Sequence, residues 1–175
     1  MNFLLKYDAP TEQQRLYRQA MLDFAAAHPD CFERSNLVGH FTASAWLLDK
    51  TGTKALLMHH RKLDRWFQLG GHADGDADLL RVAVKEAQEE SGVEHIEPVS
   101  DEVFDLDIHE IPANAKDPRH FHYDVRFLLQ VKSDEQVQNN LESKELRWIG
   151  RDHAELPTQE ESVVRLFRKW IALAS

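Results

Sequence analysis

Residues 71–93 read GHADGDADLLRVAVKEAQEESGV. Leu80, Ala83, Val84 and Ala87 recur at i, i+3, i+4 and i+7, which gives a helix over Asp78 to Ser91 one apolar face. Gly92 follows, where a helix C-terminus favours a residue that tolerates the left-handed conformation. Glu86, Glu89 and Glu90 stand at i, i+3 and i+4 beside that face, so their carboxylates converge on one patch. Like charges placed this way repel and destabilise the helix unless something positive sits among the oxygens. Hard oxygen donors suit Mg²⁺ or Mn²⁺. A solvated acidic face is the alternative reading of the cluster alone.

Working outward, Thr11 with Gln14 three residues later forms a capping-box start, and Leu16, Tyr17, Ala20, Met21 and Phe24 follow at helical spacing. A helix over about 11–27 is expected, ended by His28, Pro29 and Asp30. His40 to Asp49 reads as a strand, Lys50-Thr51-Gly52 as a turn and Ala55 to His60 as the return strand. A short strand from Trp66 to Leu69 runs into Gly70-Gly71, where the backbone bends or is closely approached. Val103 to Ile111, Phe121 to Val131 and Leu146 to Ile149 read as further strands. Thr158 with Glu161 is expected to open a last helix, packed through Val164, Phe167 and Ile171. Helices and strands are mixed without repeats or regular βαβ alternation, so the expectation is an α+β domain.

The chain has 175 residues, enough for one domain with a real core. It carries 21 basic and 30 acidic residues, a formal charge of −9, and therefore lacks the basic excess that nucleic-acid binding needs. An acidic protein that handles phosphate must supply positive charge locally, through metal ions or a few placed Arg and Lys. Cys31 is the sole cysteine, which excludes a disulfide framework, a Cys-rich zinc site and a redox pair. A reducing cytoplasm is the expected compartment. The apolar run Phe3 to Leu5 is far short of a signal-peptide core or a membrane span, and no membrane partner is expected.

The whole stretch from Gly71 to Val93 resembles the Nudix box, G-x5-E-x7-R-E-U-x-E-E-x-G-U, where U is a bulky or small apolar residue. Gly71, Glu86, Ala87, Glu89, Glu90, Gly92 and Val93 match in register; the first box glutamate is Ala77 and the box arginine is Lys85. The surrounding elements extend the resemblance over roughly residues 38–170, leaving a helical extension of about 1–37 outside it. The resemblance implies a Nudix fold, a mixed β-sheet layered between helices as an α/β/α sandwich. It implies a pyrophosphohydrolase that uses Mg²⁺ or Mn²⁺ to bring water to phosphorus in a small-molecule phosphoanhydride, a nucleoside diphosphate linked to another moiety. Glu86, Glu89 and Glu90, with the Gly70 carbonyl, would hold the metal. Glu86 would also serve as base, or Glu142, in the loop after the long strand, would do so in its place. Lys85 would support Glu86 where the family has arginine, although an ammonium lacks the bidentate fork of a guanidinium. Asp74, Asp76 and Asp78 surround the gap left at Ala77, and one of them is expected to cap the helix.

Ten histidines are present. His120, His122 and Asp124 alternate along one strand and so share a face with Arg126, opposite an apolar set of Phe121, Tyr123, Val125 and Phe127. The first set is expected to line a cavity or solvent, with Arg126 and Tyr123 as candidate substrate contacts. The strand beginning at His40, His72 after the glycines, and the pair His122 and Asp124 resemble positions of a histidine-rich metal site in isopentenyl diphosphate isomerases, which share the Nudix fold. That resemblance implies a second divalent-metal site of His40, His72, His122 and Asp124; histidines hydrogen-bonded for structure are the alternative. The isomerase reaction itself is disfavoured, because Gly70 and Gly71 stand where that family carries its cysteine. A Nudix domain that binds a nucleotide without turnover is the other rival, motivated by Ala77 and Lys85. Substrate identity and oligomeric state are open at this level.

Overall fold

The structure, a computed structural model, describes residues 1–114, 117–132 and 136–173. Two short-range signals set its frame. Thr11 caps α2 (Glu12–Ala27), its side-chain oxygen accepting the Gln14 N–H at 3.2 Å. Asp78 caps α3 (Leu79–Ser91) by accepting the Arg81 N–H at 3.2 Å, and Gly92 ends it with φ 75°. A short α1 (Asn2–Lys6) precedes both. The expected start of the last helix is corrected: Thr158 Oγ1 accepts the Glu160 N–H, and α4 (Glu161–Ala172) begins one residue later without a side-chain cap.

One sheet runs through the molecule. It comprises β1 (Gly39–Leu48), β2 (Ala55–His60), β3 (Arg65–Phe67), β4 (Leu69–His72), β5 (Ile96–Pro98), β6 (Asp105–Ile111), β7 (His120–Val131) and β8 (Ser143–Ile149). The path is β3-β2-β1-β7-β5, with β4 on β1, β6 on β7 and β8 on β2. β1 and β7 are parallel from Gly39 opposite Phe121 to Leu48 opposite Gln130, while β4 and β6 join them antiparallel, so the sheet is mixed. β1 thus holds β4 on one edge and β7 on the other.

Period-two alternation along β1 feeds two cores. Phe41, Ala43, Ala45 and Leu47 pack with Leu4, Met21 and Phe24 of the N-terminal helices and with Leu79, Val82, Ala83 and Ala87 of α3. Trp46 and Leu48 face the other way, against Val163, Phe167 and Trp170 of α4. Burying each such large side chain is worth roughly 1.5–3 kcal/mol, which makes the helix-sheet-helix layering the main source of stability. The expected α+β architecture, a mixed sheet layered between helices, is therefore observed. No helix among the described residues is long and apolar enough to cross a membrane.

Candidate active site

Two glycines of β4 bring α3 against the sheet. The Gly70 N–H donates to Glu90 Oε2 at 2.8 Å. A Cβ on Gly71 would overlap the Glu86 carboxylate, so only glycine lets that side chain lie against the strand. Gly70 has φ 155°, and a Cβ there would strike Ser44 and the Ala43 carbonyl of β1. Glu90 is 6% exposed. Burial, with a smaller contribution from Glu86, pushes its carboxyl up to about 8 against the hydrogen bond from Gly70. Burial also raises the half-buried Glu86, against the pull of Lys85. Glu89 stays exposed, and Lys85 Nζ lies 3.2 Å from Glu86 Oε1 and 3.4 Å from Glu89 Oε2.

Residues beyond α3 frame this patch. Ala77 is exposed and places no polar group there, whereas Asp74 accepts two hydrogen bonds from Arg34 at 2.5 and 2.6 Å. Glu142 is exposed, and its charge, like that of Glu86, acts on both Arg34 and Glu90. The Gly75 N–H bonds to the Phe32 carbonyl at 3.0 Å, bracing the loop before α3 with the segment that carries Arg34.

His40 of β1, His72 of β4 and His122 of β7 offer nitrogens all within 4.8 Å of one another. Strand register explains the convergence: His40 lies opposite His122, and His122 opposite His109 of β6, in one row across three strands. His120 joins the row with its ring 5.1 Å from His40 and 5.2 Å from His122. Burial holds His72 down to about 4, helped by Arg34, and burial likewise lowers His40 and His122.

The remaining candidates on β7 correct three expectations. Arg126 is fully buried and points at carboxylates rather than a cavity, with Asp124 at 2.7 Å, Asp107 at 3.2 Å and Asp105 at 3.5 Å, and it donates to the Ser162 carbonyl in the first turn of α4. It has no open side for a phosphate. Asp124 accepts from Thr42, Ser44 and Arg126, so it belongs to that network and not to the histidines. Tyr123 stacks on Phe24 of α2, with ring centroids 4.1 Å apart, and packs against the core.

The chain matches the NUDIX domain family over residues 39–171, which is most of its length. It belongs to the Nudix family. No curated protein sequence matches it significantly. Among solved structures, the C. elegans Ap4A hydrolase binary complex aligns at 20% identity with a TM-score of 0.57, covering 77% of this chain and 96% of that one. The E. coli dihydroneopterin triphosphate pyrophosphohydrolase gives 14% identity and 0.57 over 76% and 95%. A UDP-X diphosphatase gives 16% and 0.55 over 94% of this chain and 81% of that one, an alignment that reaches into the N-terminal helices. At these identities the likeness is one of fold.

The Nudix box of this pyrophosphohydrolase fits a hard divalent cation. Glu86, Glu89 and Glu90 present oxygen donors alone, and the buried Glu90 carboxylate has a neutral N–H as its hydrogen-bond donor. Arg34 was not anticipated from the sequence, and His109 was not placed with the other histidines. Arg34 sits outside the box, and His109 becomes visible only once the β6–β7 register is known.

Proposed function

We propose that this Nudix pyrophosphohydrolase uses Mg²⁺ or Mn²⁺ to hydrolyse a phosphoanhydride bond in a nucleoside diphosphate linked to another moiety. The observation that carries the reading is the seating of Glu86 on Gly71 and Glu90 on Gly70, which gathers carboxylates with Lys85 beside them. Glu86, Glu89 and Glu90, with the Gly70 carbonyl, would hold the metal, which when bound neutralises phosphate oxygens and lowers the pKa of water.

The protein's own groups divide the remaining work. Glu90 is fixed by Gly70, and Glu86 and Glu89 share Lys85. Glu142, exposed beside the patch, is the carboxylate free to take the proton of the attacking water. Lys85 opposes the rise that burial imposes on the Glu86 carboxyl. Arg34, anchored on Asp74, adds positive charge at the rim where an anionic substrate enters. The solved neighbours are named for Ap4A, dihydroneopterin triphosphate and UDP-X, which supports a nucleotide-like small molecule as substrate. The single thiol, Cys31, is free and buried, in keeping with a cytoplasmic location.

Phosphate release, coupled where needed to pyrophosphatase or phosphatase, is to be measured over nucleoside triphosphates, ADP-ribose, nucleotide sugars and dinucleotide polyphosphates, for wild type and Glu89→Gln. Metal-dependent turnover that collapses in the variant is the expected result and names the substrate class. The exposed Ala77 and the substituted Lys85 favour one second reading, a binding domain. Silence across the panel with folded protein, alongside nucleotide binding, would select it.

A further inference from the structure

We propose that His40, His72 and His122 form a second metal site, separate from the carboxylate patch, that takes a transition-metal ion of the Zn²⁺, Fe²⁺ or Co²⁺ class through three imidazole nitrogens. The inference does not depend on the hydrolase reading.

Geometry carries it. The three nitrogens lie within 4.8 Å of one another. Both ring nitrogens of His40 and Nε2 of His122 are buried without a hydrogen-bond partner; the Asn36 backbone acts on His40 only from outside hydrogen-bonding geometry. Buried polar atoms are nearly always satisfied, so orphaned nitrogens gathered in one place call for an ion. Protons do not meet that need, since crowding several imidazolium charges among these rings would be repulsive. Neutral imidazoles favour borderline-soft metals over Mg²⁺.

Two further rings beside the triad are held in place. His120 Nδ1 donates to the Pro118 carbonyl at 2.8 Å, and His109 Nδ1 meets Asp107 Oδ2 at 3.1 Å, which orients both rings beside the triad. Asp124 is committed to Thr42, Ser44 and Arg126, so the donor set is nitrogen alone. Three protein ligands leave a coordination position open for water or a substrate oxygen. β4 serves both centres, because Gly70 and Gly71 seat the glutamates and the next residue is His72.

Cobalt(II) titration of chelator-treated full-length protein, followed by visible absorption and by metal analysis after desalting, tests the site. The expected result is one tightly held equivalent with ligand-field bands, present in excess Mg²⁺ and in Glu86→Gln/Glu89→Gln. His72→Gln and His122→Gln, checked for folding by circular dichroism, should weaken that equivalent by at least about 10-fold. If His122→Gln fails to fold, His72→Gln alone decides. No stoichiometric cobalt in wild type, cobalt retained unchanged by folded His72→Gln, or loss of cobalt in the glutamate variant would each overturn the proposal.

Discussion

The backbone N–H of Gly70 donates to Glu90 Oε2 at 2.8 Å, tying β4 to the last turn of α3. The carboxyl it holds is buried and raised to about 8. Glutamine keeps an acceptor oxygen for Gly70 and removes the buried charge. At about pH 9, metal-free Glu90→Gln should therefore melt higher than wild type by about 2–4 °C, equivalent to ~1 kcal/mol. Mg²⁺ should raise the wild-type midpoint and leave the variant's unmoved. Thermal melts with and without Mg²⁺ check this; a lower midpoint in the metal-free variant would contradict it.

Neighbouring glycines on β4 should respond differently to alanine. At Gly71 the new methyl meets the end of the Glu86 side chain, which can swing aside. Gly71→Ala should keep stability within about 1 kcal/mol while lowering kcat about 100-fold through a misplaced carboxylate. At Gly70 the methyl meets the backbone of β1 at φ 155°. Gly70→Ala should lose more than about 2 kcal/mol. Urea unfolding beside steady-state kinetics separates the two.

Lys85 sits where the box has arginine, and it is exposed. Lys85→Ala should change stability by less than about 0.5 kcal/mol, as surface pairs do. Its effect should appear in the pH profile. Burial raises the Glu86 pKa and Lys85 opposes that rise, so removing the ammonium raises it further. At limiting Mg²⁺, where the cation competes with the proton for Glu86, the acid limb of kcat/KM against pH should move to higher pH in Lys85→Ala and stay near wild type in Lys85→Arg. An unmoved limb in Lys85→Ala would exclude Glu86 as the group that sets it.

Much of this was legible in the sequence for definite physical reasons. A helix writes its period into the chain, so α3, its glutamates and the glycine at its end could be read from residues 71–93. Strand alternation placed His120, His122, Asp124 and Arg126 on one face. It could not divide them, because what covers each stretch of a strand depends on other elements. α4 closes over Arg126, while His122 meets His40 of β1 and His72 of β4. The three-residue β5 is too short to show a period. Arg34 reaches the site through a loop contact 40 positions away, which no local pattern encodes.

Arg126 balances Asp105, Asp107 and Asp124 inside the fold, joined by Arg165 and Lys169 from α4. Removing one partner of such a network leaves uncompensated buried charge. Arg126→Met should destabilise by about 3–5 kcal/mol in urea unfolding. A phosphate-binding arginine would instead raise KM in a protein of unchanged stability, and that outcome would reverse the structural role assigned here.

The metal-free protein should be most stable near pH 6.5, with losses on both sides. His40, His72 and His122 have pKa values below 6.5 in the fold, so the unfolded chain takes up protons first as pH falls. Their contribution is present above pH 6.5 and is lost on the way down toward the value of about 4 for His72. Glu90 acts oppositely: its pKa is raised from 4.5 to about 8, so its contribution is present at acid pH and is lost as pH rises through that window. Glu86, also raised, adds to the same loss. Between pH 4.5 and 6.5 the histidines outnumber these carboxyls, and stability falls with acid. Asp107 is held low by Arg126 against its burial, and it enters only below its ordinary 3.8. Thermal melts in chelator from about pH 4.5 to about pH 9 should trace this dome. Glu90→Gln should flatten its alkaline side and His72→Gln its acid side. A midpoint that climbed steadily through pH 8 would show that the Glu90 carboxylate is already compensated without metal.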